Sequence, residues 1–332
     1  MFSCRLSVWL PVLAALFTGA ASGQSVVSAR SGAIHHIEGR VLVDNELLEK
    51  KFGEFPNLAE GSQLRTELGR AEVLLTPGVI VRLGEESAIR MLSSQLTDTR
   101  LELAAGSALV EAMEILSDNS VTILCKGSAI QILDNGLYRI DAEPAELRVY
   151  KGKARVVHND ESVVAKKGRL VSLDGNTLVA SRFDTGAGDP LYRWSARRSG
   201  YLAMANISAA KSLLDWGVPW RSSGWYWNPY FGMFTFIPAS GLFHSPFGYS
   251  FWSPSRVYYI YSPPPMQSGW GGGGGMGHYN PDRGYVTVGG RSAPSAPAPS
   301  VGAGGAAATV DASPRTGGSA SPRGDAGGGR GR

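Results

Sequence analysis

The sequence predicts an all-β domain, a β-sandwich or jelly-roll-like fold of many short strands, followed by one helix, an aromatic-rich irregular segment and a disordered tail. Three observations carry that expectation. From residue 26 to about residue 182, short apolar runs recur about every eight to twelve positions, punctuated by Gly, Asn, Asp and Pro. Apolar and polar residues alternate within several runs: Val79, Val81 and Leu83 can face a core while Ile80 and Arg82 point the other way, and Glu72 likewise points outward. Few segments of this region have helical spacing.

Residues 1–23 read as a secretory signal. Arg5 supplies positive charge, residues 6–17 are a short apolar run, and small residues follow. Cleavage is expected after Gly23, which leaves Gln24 as the new N-terminus, with Ala21 the second choice. The run is about a dozen residues, short of the roughly 20 needed to cross a bilayer as a helix, and no transmembrane span is expected after cleavage. Cys4 precedes the run, where a lipoprotein cysteine would follow it. Cys125 is then the only cysteine, and it is read as a buried thiol within a strand rather than a nucleophile.

The β domain is placed at 24–182, with candidate strands at 32–37, 40–43, 63–66, 71–75, 79–83, 88–93, 100–104, 107–110, 121–125, 129–133, 137–141, 146–150, 154–158, 162–165 and 169–173. Turn signals separate them at Thr76-Pro77-Gly78, Asp134-Asn135-Gly136, Lys151-Gly152-Lys153 and Asp174-Gly175-Asn176. With two or three aliphatic side chains buried per strand, at about 1.5 to 3 kcal/mol each, such a domain can fold alone.

The series Ile37-Glu38-Gly39-Arg40-Val41, Leu58-Ala59-Glu60-Gly61-Ser62-Gln63-Leu64-Arg65-Thr66 and Ala71-Glu72-Val73-Leu74-Leu75-Thr76-Pro77-Gly78-Val79-Ile80-Val81-Arg82-Leu83 resembles the FecR domain. The stretches at 101–110, 136–140 and 147–156 extend the resemblance in the family's order over about residues 32–175. It implies a periplasmic binding or scaffolding module with no catalytic residues to carry across. Founding FecR proteins relay a signal from an outer-membrane iron transporter to a cytoplasmic sigma factor. This chain, with only about 23 residues before the mature domain, is expected to need a separate membrane protein for any such relay.

Asp189-Pro190 reads as a helix cap and first turn, and a helix is predicted over 189–214. Leu191, Trp194, Arg198 and Tyr201 fall on one face, expected to pack on the sandwich. The Asp189, Trp194 and Arg198 spacing resembles the Asp-x-x-x-x-Trp-x-x-x-Arg stretch that follows many exported FecR-like domains.

Residues 216–261 hold 17 of the chain's 31 aromatic residues, so the 215–262 segment is unlike the rest of the sequence. Flat rings suit stacking on sugars or docking on a partner, and Trp220, Trp225, Trp227, Tyr230 and Trp252 are the candidate contacts. The preferred reading is that the rings pack on each other or on the sandwich, because aromatics usually end up buried. Residues 263–332, rich in Gly, Pro and Ala, bury too little to offset ordering entropy and are expected to be disordered. Residues 24–182 carry a net charge of −3 and residues 183–332 a net +6, so the basic character is expected in the tail. Its terminal arginines lack interleaved aromatics, and no nucleic-acid partner is expected.

Chemistry is not spelled out anywhere. His35, His36, His158, His244 and His278 are scattered, and adjacent histidines on a strand are expected to face opposite ways, so no metal or other cofactor is predicted. Glu85-Glu86 sits in a turn, the 271–275 glycine run lacks the context of a phosphate loop, and no serine occupies a nucleophile elbow. The expected function is a non-enzymatic, exported module, in the periplasm or on the outer cell surface, that binds an envelope protein or polysaccharide. Alternatives are an accessory sensor in envelope signalling and, last, a carbohydrate-active enzyme.

Overall fold

The structure is a computed structural model that describes residues 31–49, 51–175, 177–261, 278–280 and 284–286. The segment 1–23, read above as a signal, and most of the tail 263–332 lie outside the described residues. The chain divides into two units, Met1–Met266 and Gln267–Arg332. In the second, His278–Asn280 and Gly284–Val286 pair as a short antiparallel hairpin within the region expected to be disordered.

The first unit is the all-β domain with its helix. Fifteen strands form one sheet: β1 Ala33–Val43, β2 Glu46–Leu47, β3 Gln63–Leu74, β4 Val79–Leu83, β5 Ala88–Gln95, β6 Asp98–Ala105, β7 Ser107–Ala112, β8 Ser120–Cys125, β9 Ser128–Ile132, β10 Gly136–Ala142, β11 Ala145–Lys151, β12 Lys153–His158, β13 Glu161–Lys166, β14 Arg169–Ser172 and β15 Val179–Arg182. Their order is β13-β12-β9-β8-β6-β5-β3-β4-β7-β10-β11-β14-β15, with β1 beside β3. All pairings are antiparallel except β6 with β8.

The long strand β3 makes the sheet two-layered. Its start, Gln63–Arg65, pairs with β5, and its end, Ala71–Leu74, pairs with β4, so one strand belongs to both halves. The passage is made at Gly69, paired with Gly39 of β1: a Cβ at Gly69 would lie 2.5 Å from the Glu38 carbonyl oxygen, and one at Gly39, where φ is +68°, 2.1 Å from that of Leu68. Two candidate strands on either side of each glycine therefore merge into one. The halves close on a common core, Ile89, Leu101, Val121, Ile123, Ile130 and Val156 from one and Val79, Val81, Leu83, Val110, Ile140, Leu147 and Val149 from the other. Cys125 lies in that core, donating to the Asp141 carbonyl, and burial pushes its thiol pKa up to about 11.

The outer face of the β4-β7-β10 half is covered by a third layer. Helix α1, Pro190–Asp215, starts at the predicted cap, where Asp189 Oδ1 accepts from the Tyr192 amide at 2.7 Å. Leu191 and Trp194 pack on Leu109 and Leu137 of the sheet. Arg198 is buried with them, but Tyr201 is not on that face: it is 54% exposed, and Leu202 takes the inward position. A helix turns 100° per residue, so a stripe started at Leu191 drifts away by the third turn.

The aromatic segment is more regular than its composition suggests. Gly224–Asn228 (β16) and Met233–Ile237 (β17) form a hairpin, Leu242–His244 (β18) and Ser250–Trp252 (β19) a second, and Pro254–Tyr261 a short helix α2. Asn228 Oδ1 caps the first turn by accepting from the Tyr230 and Phe231 amides at 3.0 and 3.2 Å. Trp225, Phe236 and Phe251 join Leu74, Ile80 and Met113 of the sheet in a second core, and Tyr226 and Ile237 join Ala209 and Leu213 of α1 in another. These rings pack on each other and on the sandwich, whereas Trp216, Tyr230, Phe231, Tyr249, Tyr258, Tyr259 and Tyr261 stay exposed.

One backbone position gives a stringent check. Gly106, between β6 and β7, has φ +71°, and a Cβ there would lie 2.3 Å from Ser87 Oγ and 2.4 Å from the Glu86 carbonyl oxygen. Gly106→Ala is expected to cost at least about 2 kcal/mol, from left-handed backbone strain and the displaced turn together, read as a lowered urea midpoint at unchanged m-value.

Candidate functional site

The seam between sheet and third layer holds a buried ionic network. Glu72 on β3 and Arg82 on β4 are direct cross-strand partners, and Arg82 Nε donates to Glu72 Oε2 at 2.7 Å. Arg82 Nη1 reaches Glu111 Oε2 on β7 at 2.6 Å. From α1, Arg198 Nη2 donates to Glu72 Oε1 at 2.7 Å and Ser199 Oγ to Glu111 Oε1 at 2.8 Å. Ser245, which precedes β19, also donates to Glu111 Oε1. Two carboxylates and two guanidiniums balance.

His35 completes the network through an irregularity in β1. The ladder slips between Ile34 and His36, so His35 is an extra residue in the strand. Both imidazoles then meet the outer layer instead of facing opposite ways: His35 contacts Phe234 and His36 stands beside Trp194, at 6.2 and 6.4 Å between ring centroids. His35 Nε2 accepts from the Phe234 amide at 2.9 Å, which leaves Nδ1 to donate to Glu72 Oε1, also at 2.9 Å. That pair of bonds fixes the neutral tautomer. Burial lowers the His35 pKa despite the neighbouring carboxylate. Burial alone would raise that of Glu72, but Arg198, Arg82 and His35 together hold it well below the usual carboxylate range.

A second polar joint fixes the start of α1. Arg139 on β10 donates to Asp141 at 2.7 Å, to Ser107 Oγ at 3.0 Å and to Asp189, the helix cap. Asn206 in mid-helix binds both hairpins: Nδ2 donates to the Phe236 and Trp252 carbonyls at 2.9 and 3.0 Å, and Oδ1 accepts from the Trp252 amide at 2.7 Å.

Beside this network a groove of about 410 Å³ opens between β1, the 48–56 loop, α1 and the β16-β17 turn. Leu48, Phe55, Pro56 and Met233 line it. Phe52 and Tyr201, both exposed, stand at it with Phe231. Lys51 pairs with Glu54 at 3.8 Å across exposed loop positions. Among the described residues no three His, Cys, Asp or Glu side chains converge as a metal site. The groove therefore offers apolar surface with a charged rim.

The candidate aromatic contacts separate into two groups. Trp225 is 1% exposed and donates Nε1–H to the Leu75 carbonyl at 3.1 Å, which makes it a core residue and not a partner contact. Trp220 is half-buried against Tyr226, and Trp252 is half-buried on β19, held through its backbone by Asn206. Neither approaches the groove. Trp227 does so indirectly, edge-on to Phe55 at 5.3 Å between centroids, and Tyr230, 87% exposed, packs on Phe231 at 5.3 Å. Phe52, Phe55, Tyr201 and Met233 were missed. The Phe52-Gly53-Glu54-Phe55-Pro56 stretch was the available signal: two rings in a loop that otherwise reads as polar.

No family model matches the sequence, and no curated protein matches it. Two crystal structures from Parabacteroides distasonis, each described as a candidate anti-sigma factor, are similar to part of the chain. The first is 14% identical with a TM-score of 0.34, covering 42% of this chain and 65% of that one, so the chain spans less than two thirds of its length. The second is 15% identical with a TM-score of 0.33, covering 46% of this chain and 72% of that one. Among the described residues, no helix is long and apolar enough to cross a membrane.

Two measurements test the network. Arg198→Met leaves one guanidinium for two buried carboxylates and is expected to cost about 3 to 5 kcal/mol, whereas Arg198→Met with Glu72→Gln costs less than the sum of the single changes. The pH dependence follows from the two shifts. The unfolded chain protonates His35 near its ordinary value of 6.5 before the folded chain does. Stability is thus full above 6.5 and is lost as pH falls below it towards the folded value, and the Glu72 contribution is lost only below the ordinary 4.5. Urea midpoints between pH 8 and 5 are expected to fall less steeply in His35→Gln, whose amide can still donate to Glu72 and accept from Phe234.

Proposed function

We propose that this chain is an exported, non-enzymatic interaction module of the bacterial envelope, of the FecR-like type, and that its groove receives an apolar segment of a protein partner. The observation that carries this reading is the convergence of open rings on one apolar groove, with Phe52 85% exposed beside Tyr201 and Phe231. A protein segment suits the groove better than a sugar does. Its lining is aliphatic and phenyl rather than a broad indole platform, and the indoles expected to supply one are in the core or half-buried. The apolar leader and the sequence resemblance to FecR domains support export to the periplasm or outer surface. A relay role towards a sigma factor would place a separate membrane protein in the groove.

Capture of envelope proteins by crosslinking, comparing the full chain with Phe52→Ala/Tyr230→Ala, tests the reading. Both side chains are exposed, so folding stability is expected to stay within about 0.5 kcal/mol. Affinity for the captured partner is expected to fall roughly thirtyfold, the effect of losing about 2 kcal/mol at a binding hot spot. Unchanged capture by the variant would overturn the groove assignment, and sedimentation with purified peptidoglycan in place of protein capture would move it to sugars.

A further inference from the structure

Away from the groove, the turn between β13 and β14 carries Lys167 and Gly168, and β14 begins at Arg169. Strand β14 pairs antiparallel with β15 so that Arg169 stands directly opposite Arg182. Directly opposed side chains leave the same face of a ladder with their Cβ atoms about 4.5 to 5.5 Å apart, where like charges repel. A cavity of about 420 Å³ is lined by Lys167, Gly168, Arg169, Arg182, Phe183 and Thr185. Several exposed arginines elsewhere on the domain are matched, Arg40 and Arg65 by Glu67, Arg70 by Glu85 and Arg100 by Asp98, and those that are not, such as Arg90 and Arg155, do not stand opposite another arginine. Among the described residues, Lys167, Arg169 and Arg182 have no acidic partner.

A single charge on an edge strand discourages sheet-to-sheet association, but an opposed pair with a third cation over one cavity adds repulsion that protection does not require. We propose that this cavity binds a phosphate group. Two guanidinium forks can each meet a pair of phosphate oxygens, Lys167 adds a point charge, and the Thr185 hydroxyl offers a further donor. A phosphate monoester carries about −1.5 to −2 at neutral pH and answers three cations better than a carboxylate, which carries only −1. Phe183, edge-on to Tyr150 at 5.0 Å between centroids, gives the cavity an apolar wall. The phosphate belongs either to a lipid headgroup or to a soluble phosphorylated ligand.

Thermal unfolding of the full chain in sodium phosphate and in sodium chloride at matched ionic strength, with phosphate titrations by calorimetry, tests this. Phosphate is expected to raise the midpoint above chloride, and Arg169→Gln/Arg182→Gln to abolish the increment and weaken phosphate binding at least tenfold. These side chains are exposed and mutually repelling, so the variant keeps its fold, and Arg182→Gln alone is expected to fall between. Equal midpoints in the two salts, or an increment that survives in the double variant, would overturn the proposal. Co-sedimentation with phosphatidic acid vesicles, whose headgroup is a phosphate monoester, but not with phosphatidylcholine vesicles, lost in the variant, assigns the phosphate to a headgroup. Phosphate binding without sedimentation assigns it to a soluble ligand. Neither result depends on Phe52 or Tyr230, so the groove reading stands or falls separately.

Discussion

Glu72 and Glu111 lie on the outer face of the sheet and are fully enclosed, and an ionised carboxylate out of water is tolerable only if cations and donors come with it. Arg82, between them, supplies one positive charge. The second comes from Arg198, 126 residues from Glu72 in the chain, and the hydroxyl donors come from Ser199 and Ser245. The sandwich therefore has an electrostatic requirement that its own strands do not meet. Docking of α1 and the second hairpin meets it, and their apolar faces cover what would otherwise be an exposed sheet.

The same interface is specified from the helix side. A 26-residue helix laid on a sheet by apolar contact alone could slide by a turn, because Leu, Ala and Trp faces are tolerant of register. Fixed polar bonds remove that freedom: Arg139 with Asp189 at its first turn, Arg198 and Ser199 in its middle, and Asn206 about two turns further on. Each buried polar bond is of modest net worth, about 1 kcal/mol, but each misregistered one would leave a buried donor or acceptor unmet at a larger cost. Register is set by that asymmetry.

Much of the fold was legible because period-two patterning and turn residues are local signals. Strand β4 was read to the residue, and the cap at Asp189 was visible as Asp-Pro. The third layer was less legible. Arg82 and Glu72 point away from the core as the alternation of β3 and β4 demands, but sequence equates outward with wet, and only the docking of a distant helix makes that face dry. His35 was misplaced because a one-residue slip in β1 is invisible in a single strand's pattern. The hairpins of the aromatic segment were hidden for a different reason: Trp, Tyr and Phe favour strands, but when nearly every position is apolar, alternation disappears and the period cannot be read. Of the candidate contacts, Trp227 and Tyr230 were brought towards one surface and Trp225 was taken into the core. Which rings stay open depends on tertiary packing that composition does not encode.

The groove lies where three elements meet after each has committed another face to the interior. Helix α1 spends Leu202 on the core and presents Tyr201 outward, the β16-β17 hairpin buries Trp225 and Phe236 and turns at Tyr230 and Phe231, and the 48–56 loop returns to the sheet through Pro56, whose carbonyl accepts from the Ile34 amide at 2.8 Å. At the junction Phe52 lies over Gly232, where φ is +60° and a Cβ would come within 2.5 Å of the phenyl ring. The absence of a side chain at Gly232 makes room for the edge of the ring, and at 85% exposed the rest of its apolar surface is open. A partner that covers Phe52 gains the burial of a nearly whole phenyl ring, about 1.5 to 3 kcal/mol, against about 0.5 to 1.5 kcal/mol for immobilising it. Burial exceeds ordering there because the ring stands at the meeting of three elements, where one apolar segment can cover it together with Tyr201 and Phe231.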